Sequence, residues 1–90
     1  MKYHNWNLEK NEQLKESRGI SFNDIVYYIE HGQLIEIIHH PNQILYKNQK
    51  MYVLNINDYI YLVPFIETDG GIFMKTIIPS RKATKHYLEK

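Results

Sequence analysis

Ninety residues with 43% hydrophobic and 23% charged side chains have the composition of one globular domain (residues 1–90) with a single small core. The absence of cysteine excludes a disulfide framework and a thiolate metal site, and it suits a reducing compartment, so a cytoplasmic location is expected. A net charge of +1 does not by itself argue for nucleic acid, no apolar run approaches the ~20 residues of a membrane span, and the opening Met-Lys-Tyr-His-Asn-Trp shows no secretory signal.

The charge is unevenly spread. Residues 1–45 hold four Lys/Arg against six Asp/Glu, and residues 46–90 hold seven against four. In chain order, Tyr3–Trp6 reads as a short edge strand. Asn7 caps a helix over Leu8–Arg18, with Gly19 at its C′ position. Leu8 and Leu14 are the only aliphatics of this helix, so it should lie on the surface and lean on Trp6. Ser21 and Asp24 form the N-terminal signature of a second helix. Phe22, Ile25, Val26 and Ile29 follow at i, i+3, i+4 and i+7, a buried stripe, and Gly32 closes the helix.

From Leu34 the period becomes two. Leu34–His40 reads as a strand broken by His40-Pro41-Asn42, and Ile44–Tyr46 as a further short strand. Lys50–Ile56 and Tyr59–Ile66 are strands joined by the two-residue turn Asn57-Asp58. Thr68–Gly71 turns into a strand Ile72–Ile78. Pro79 ends that strand, Ser80 caps, and a last helix covers Arg81–Leu88. Helices grouped before a meander mean an α+β fold: two N-terminal helices packed on a four- to five-stranded antiparallel sheet, with a C-terminal helix.

Strand alternation sorts the polar residues by face. Lys50 joins Tyr52, Leu54 and Ile56; Glu67 joins Tyr61, Val63 and Phe65; Lys75 joins Phe73 and Ile77. Lys75 is either a guard on an edge strand or a site. His39 and His40 face opposite ways and cannot share one metal, and no other metal-ligand spacing is present, so no metal or cofactor is expected. His40, at the exposed strand end, is the better acid–base candidate. Arg81 and Lys82 sit in the first turn of the last helix, where the helix dipole disfavours cations, so they mark either an anion site or a solvated basic end. Cations with a histidine and a carboxylate suit RNA cleavage by internal attack of the 2′-hydroxyl, because charge on the phosphorane can be stabilised electrostatically.

The stretch YHNWNLEKNEQLKESRGISF and the ending FMKTIIPSRKATKHYL, with VPFIETDGG between them, resemble the BrnT-like toxins. The resemblance implies a RelE-like fold and ribonuclease activity in a type II toxin–antitoxin pair. It also implies a cognate ribbon-helix-helix-type antitoxin, a toxin–antitoxin heterotetramer, contact with DNA only through the antitoxin, and no membrane. On this resemblance Lys75 takes the place of the basic residue of the closing strand, and Arg81 that of the arginine in Arg-Lys-Ala. Lys50 opens the second family strand and Glu67 lies near the end of the third. The implied catalytic set is Lys75, Arg81, His40, Lys50 and Glu67, with Lys47, Lys82 and Lys85 holding RNA. Lys75 stands where the family usually has arginine, and His39-His40-Pro41-Asn42 replaces an acidic, arginine-bearing stretch, which shifts the set toward His40. The other function class is a non-catalytic scaffold or corepressor that binds the antitoxin.

Overall fold

Caps, more than apolar content, make the two helices at the head of the chain. In the computed structural model, which describes residues 3–89, Asn7 Oδ1 accepts the Lys10 N–H at 2.9 Å to start α1 (Leu8–Arg18), and Gly19 ends it at φ 67°. Ser21 and Asp24 close a reciprocal capping box on α2 (Phe22–Glu30). Asn11 joins the two helices: its side chain accepts the Phe22 N–H at 2.7 Å and donates to Asn23 at 3.2 Å. The stripe on α2 is narrower than its spacing suggests. Phe22 and Ile25 are fully buried, whereas Val26 and Ile29 are half-buried.

Six strands follow or flank these helices: β1 (His4–Asn5), β2 (Leu34–His39), β3 (Lys50–Ile56), β4 (Tyr59–Thr68), β5 (Gly71–Met74) and β6 (Ile78–Pro79), and α3 (Arg81–Leu88) closes the chain. The spatial order is β1-β5-β4-β3-β2, with β6 also paired to β4. The fold is α+β, but the sheet is mixed and six-stranded rather than antiparallel with four or five strands. β1 pairs in parallel with β5, His4 opposite Ile72 and Asn5 opposite Phe73. Residues 6–70 separate these two strands, so no hairpin dictates their direction. Gly71 permits the contact: it sits at φ 132°, and a Cβ there would lie 2.1 Å from the Tyr3 carbonyl, which accepts the Ile72 N–H at 2.7 Å.

Two further expectations are corrected. Ile72–Ile78 is not one strand. Met74 pairs with Phe65 and Ile78 with Leu62, so three residues of one chain face two of the other, a bulge at Lys75–Ile77. Ile72, Met74 and Ile77 are all buried, and the last spacing of three cannot be met by unbroken alternation. The bulge moves Ile77 off the face of Phe73, so Lys75 does not share one face with both. The Ile77 carbonyl accepts a hydrogen bond from Arg18. Ile44–Tyr46 is not a strand either. Asn42 takes the Leu45 N–H on its side chain at 3.1 Å and the Tyr46 N–H on its carbonyl at 3.0 Å, local bonds that compete with a strand ladder.

The main core lies on one face of the sheet. Leu14, Ile20, Phe22 and Ile25 pack there with Tyr52, Leu54, Ile56, Val63, Phe65, Ile72, Met74 and Ile77. On the other face α3 lies along β4: Thr84 Oγ1 accepts the buried Ile60 N–H at 2.9 Å. The Tyr87 hydroxyl donates to Glu36 on β2, which pushes the phenol pKa up to about 12.

Candidate functional site

The hairpin of β3 and β4 turns at Asn57 and Asp58, both with positive φ (53° and 64°). That tight turn fixes the register, with Lys50 opposite Phe65 and, on the other side, His39 opposite Lys50. Diagonal neighbours on one face follow, and Lys50 Nζ reaches Glu67 Oε1 at 3.0 Å. Their side chains are 39% and 41% exposed, so the pair contributes little to stability, and the lysine charge faces water. His39, Gln43, Asn48, Lys50 and Glu67 line an open polar cleft of about 360 Å³.

Lys50 and Glu67 also border an adjoining apolar slot of about 300 Å³. His4, Ile29, Leu34, Ile37, Tyr52, Phe65 and Ile72 complete its lining. Tyr52 stacks on Phe65 with ring centroids 4.2 Å apart, and its hydroxyl lies 3.0 Å from His4 Nε2. Burial, reinforced by the nearby Glu67 charge, pushes the Tyr52 pKa up to about 12. Burial pushes His4 below its ordinary value, with Glu30 pulling the other way. At neutral pH both groups are therefore uncharged.

The residues singled out from sequence fall in several places. Lys50 and Glu67 come together. His39, not His40, lines the cleft beside them. His40 accepts the Asn42 N–H on Nδ1 at 3.0 Å and packs its ring against Tyr46, centroids 4.2 Å apart. Lys75 is exposed at the bulge, its backbone N–H bound to the Pro64 carbonyl at 2.8 Å. Arg81 is exposed and follows Ser80, whose N–H binds the Ile60 carbonyl. Pro64 and Ile60 are four positions apart on β4, about 13 Å. The backbone thus sets Lys75 and Arg81 apart, and neither lines the cleft. Lys82 borders an apolar groove between α3 and the sheet, with Ile38, Met51 and Leu62. Lys47 and Lys85 are exposed.

In the sequence an exposed strand end favours His40, whereas His39 is the histidine that lines the cleft. Its signal was the alternation that sets Ile37 and His39 on one face, together with the register that pairs His39 with Lys50. His4 and Tyr52 carried no signal, since 48 residues separate them. Among the described residues no three His, Asp or Glu side chains gather as potential metal ligands, and no helix is long and apolar enough to cross a membrane. Compared with known proteins, the chain matches no family model, no curated protein and no solved structure.

Proposed function

We propose that this chain is a metal-independent ribonuclease of the toxin type that its two ends resemble, with a RelE-like arrangement of helices on the sheet and with cleavage at the His39–Lys50–Glu67 cleft. The observation that carries the reading is the meeting of a histidine, a lysine and a carboxylate in one open polar cleft. His39 serves as the general base that takes the 2′-hydroxyl proton. The 2′-oxygen attacks phosphorus, the bond to the 5′-oxygen breaks, and solvent protonates the leaving oxygen. The products are a 2′,3′-cyclic phosphate and a 5′-hydroxyl. Lys50 supplies positive charge to the phosphorane, and Glu67 holds the ammonium in place. Lys47, Lys75, Arg81, Lys82 and Lys85 serve as phosphate contacts along the RNA rather than as reacting groups. A cognate ribbon-helix-helix-type antitoxin would restrain the enzyme.

The test is cleavage of a long RNA in EDTA, with and without ribosomes, and analysis of the product ends. Loss of a positioned acid–base group costs ~10²–10⁴ in rate, so His39→Ala should lose that much and His40→Ala less than tenfold. Arg81→Ala and Lys75→Ala should weaken RNA binding and flatten its salt dependence. Undiminished cleavage by His39→Ala would remove this residue from the chemistry.

A second reading, the non-catalytic scaffold, draws on exposed apolar residues near the cleft: Ile37 is 51% exposed and Ile44 94%. A folded chain that cleaves no RNA in either condition, yet binds its antitoxin in fixed stoichiometry, would establish that reading instead.

A further inference from the structure

A second recess, which shares only His4 with the apolar slot, runs between α2 and the chain around β1. Its volume is about 410 Å³. Asn23, Tyr27 and Glu30 recur at i, i+4 and i+7, so one face of α2 forms one wall. Tyr3, His4 and Trp6 form the other.

Three aromatic rings and one carboxylate therefore meet in an open groove. Tyr3 and Tyr27 are 71% and 55% exposed. His31 stacks on Tyr27, ring centroids 3.9 Å apart at 23°, Tyr28 stands nearly perpendicular to it at 5.6 Å, and Tyr27 still lines the groove. Trp6 stacks in the same way on Phe22, at 5.8 Å and 24°. Glu30 is exposed; among the described residues the ion pairs are Lys15–Glu12 and Lys50–Glu67, and no cation pairs with Glu30. His4, neutral through burial, brings no competing positive charge.

We propose that this groove binds the guanidinium of an arginine side chain presented by a partner polypeptide, stacked on Tyr27 and Trp6 and paired with Glu30. Aromatic faces attract cations through the ring quadrupole. A guanidinium adds a planar fork that matches a carboxylate and is less strongly hydrated than an ammonium. An apolar occupant would bury the Glu30 charge without a partner. RNA is disfavoured here, because its phosphates would approach that same charge. The groove is open to solvent, which lets a backbone pass while one side chain enters.

Trp6 is the only tryptophan in the chain, so its fluorescence reads the groove directly. The probe is a blocked tripeptide, acetyl-Gly-Arg-Gly-amide, against its isosteric, uncharged citrulline counterpart and a lysine counterpart. The arginine peptide should change Trp6 emission saturably. The citrulline peptide, and the arginine peptide titrated into Glu30→Gln, should each bind at least about tenfold more weakly. Tyr27→Ala should weaken binding as well. Position 30 is exposed, and a circular-dichroism melt of Glu30→Gln should match the parent. No saturable change, equal binding of citrulline, or equal binding by Glu30→Gln would overturn the proposal. Tighter binding of the lysine peptide would overturn the choice of guanidinium.

Discussion

The same face of the same strands is sealed at one end and open at the other. Toward the hairpin turn, Leu54, Ile56 and Val63 lie in one cluster with Phe22 and Ile25 of α2 and are almost completely dry. Toward the other end, in the same alternation, Lys50 and Glu67 remain about two-fifths exposed beside His39. Strand pattern is identical in the two halves; cover is not. A polar residue placed under α2 would be left without partners, whereas the open end tolerates charge because water reaches it. The contrast teaches that alternation selects a face, while the helix laid on it decides which part becomes core and which is free for chemistry.

The sharpest way to break the comparison is to put charge in the sealed half. Ile25→Asp buries a carboxylate at a fully dry position and should cost about 4 kcal/mol or more, enough to unfold a domain of this size. A cooperative melt close to the parent's would show that α2 does not seal the sheet. In the open half, removing a charge should act on rate and not on stability. Lys50→Ala should lower RNA cleavage by ~10²–10³ while its melting temperature changes by only a few degrees, as for an exposed ion pair worth less than about 1 kcal/mol. A large loss of stability would place Lys50 in the scaffold instead.

A smaller effect should come from the seam that holds β1. Gly71→Ala drives a methyl group against the Tyr3 carbonyl at a backbone angle that suits glycine. It should cost about 2 kcal/mol and lower the melting temperature by about 8–16 °C. Hydrogen exchange would show the loss of protection beginning at Ile72, whose N–H bonds Tyr3. Unchanged exchange there would mean that β1 is not held by this contact.

The smallest effect concerns pH. Burial depresses the His4 pKa from 6.5 in the folded chain, so between the folded and unfolded values the unfolded chain binds more protons. Stability from this group is fully present above pH 6.5 and is lost as pH falls toward the folded value. Urea midpoints at pH 7.5 and 5.5 should differ less in His4→Gln than in the parent. Equal differences would mean that His4 is not linked to folding.

Much of the fold was legible because short-range chemistry specifies it. Asn7, Gly19, the Ser21–Asp24 pair, Asn57-Asp58 and Ser80 each act on neighbours within a few residues, and the structure uses them as caps and turns. The apolar stripe of α2 was legible: Phe22 and Ile25 are fully buried, and Val26 and Ile29 pack half-buried against the same core. The Lys50 face was legible from alternation alone. Which of His39 and His40 lines the cleft was not, because adjacent strand residues are distinguished only by which face the cleft occupies. Ile44–Tyr46 misled because its apolar content resembles a strand, while Asn42 folds it into local turns.

By itself, then, the sequence determined where the helices and the β3–β4 hairpin start and stop, which residues of β3 share a face, and that a small α+β domain would form. Each of these depends on contacts between near neighbours or on a period of two or 3.6 residues. Only the tertiary structure decided the parallel docking of β1 on β5, the bulge at Lys75–Ile77, the separation of Lys75 from Arg81 along β4, and the meeting of His4 with Tyr52. These depend on which distant segments compete for the same core volume and the same backbone hydrogen bonds, and that competition is settled only when the whole chain is packed together.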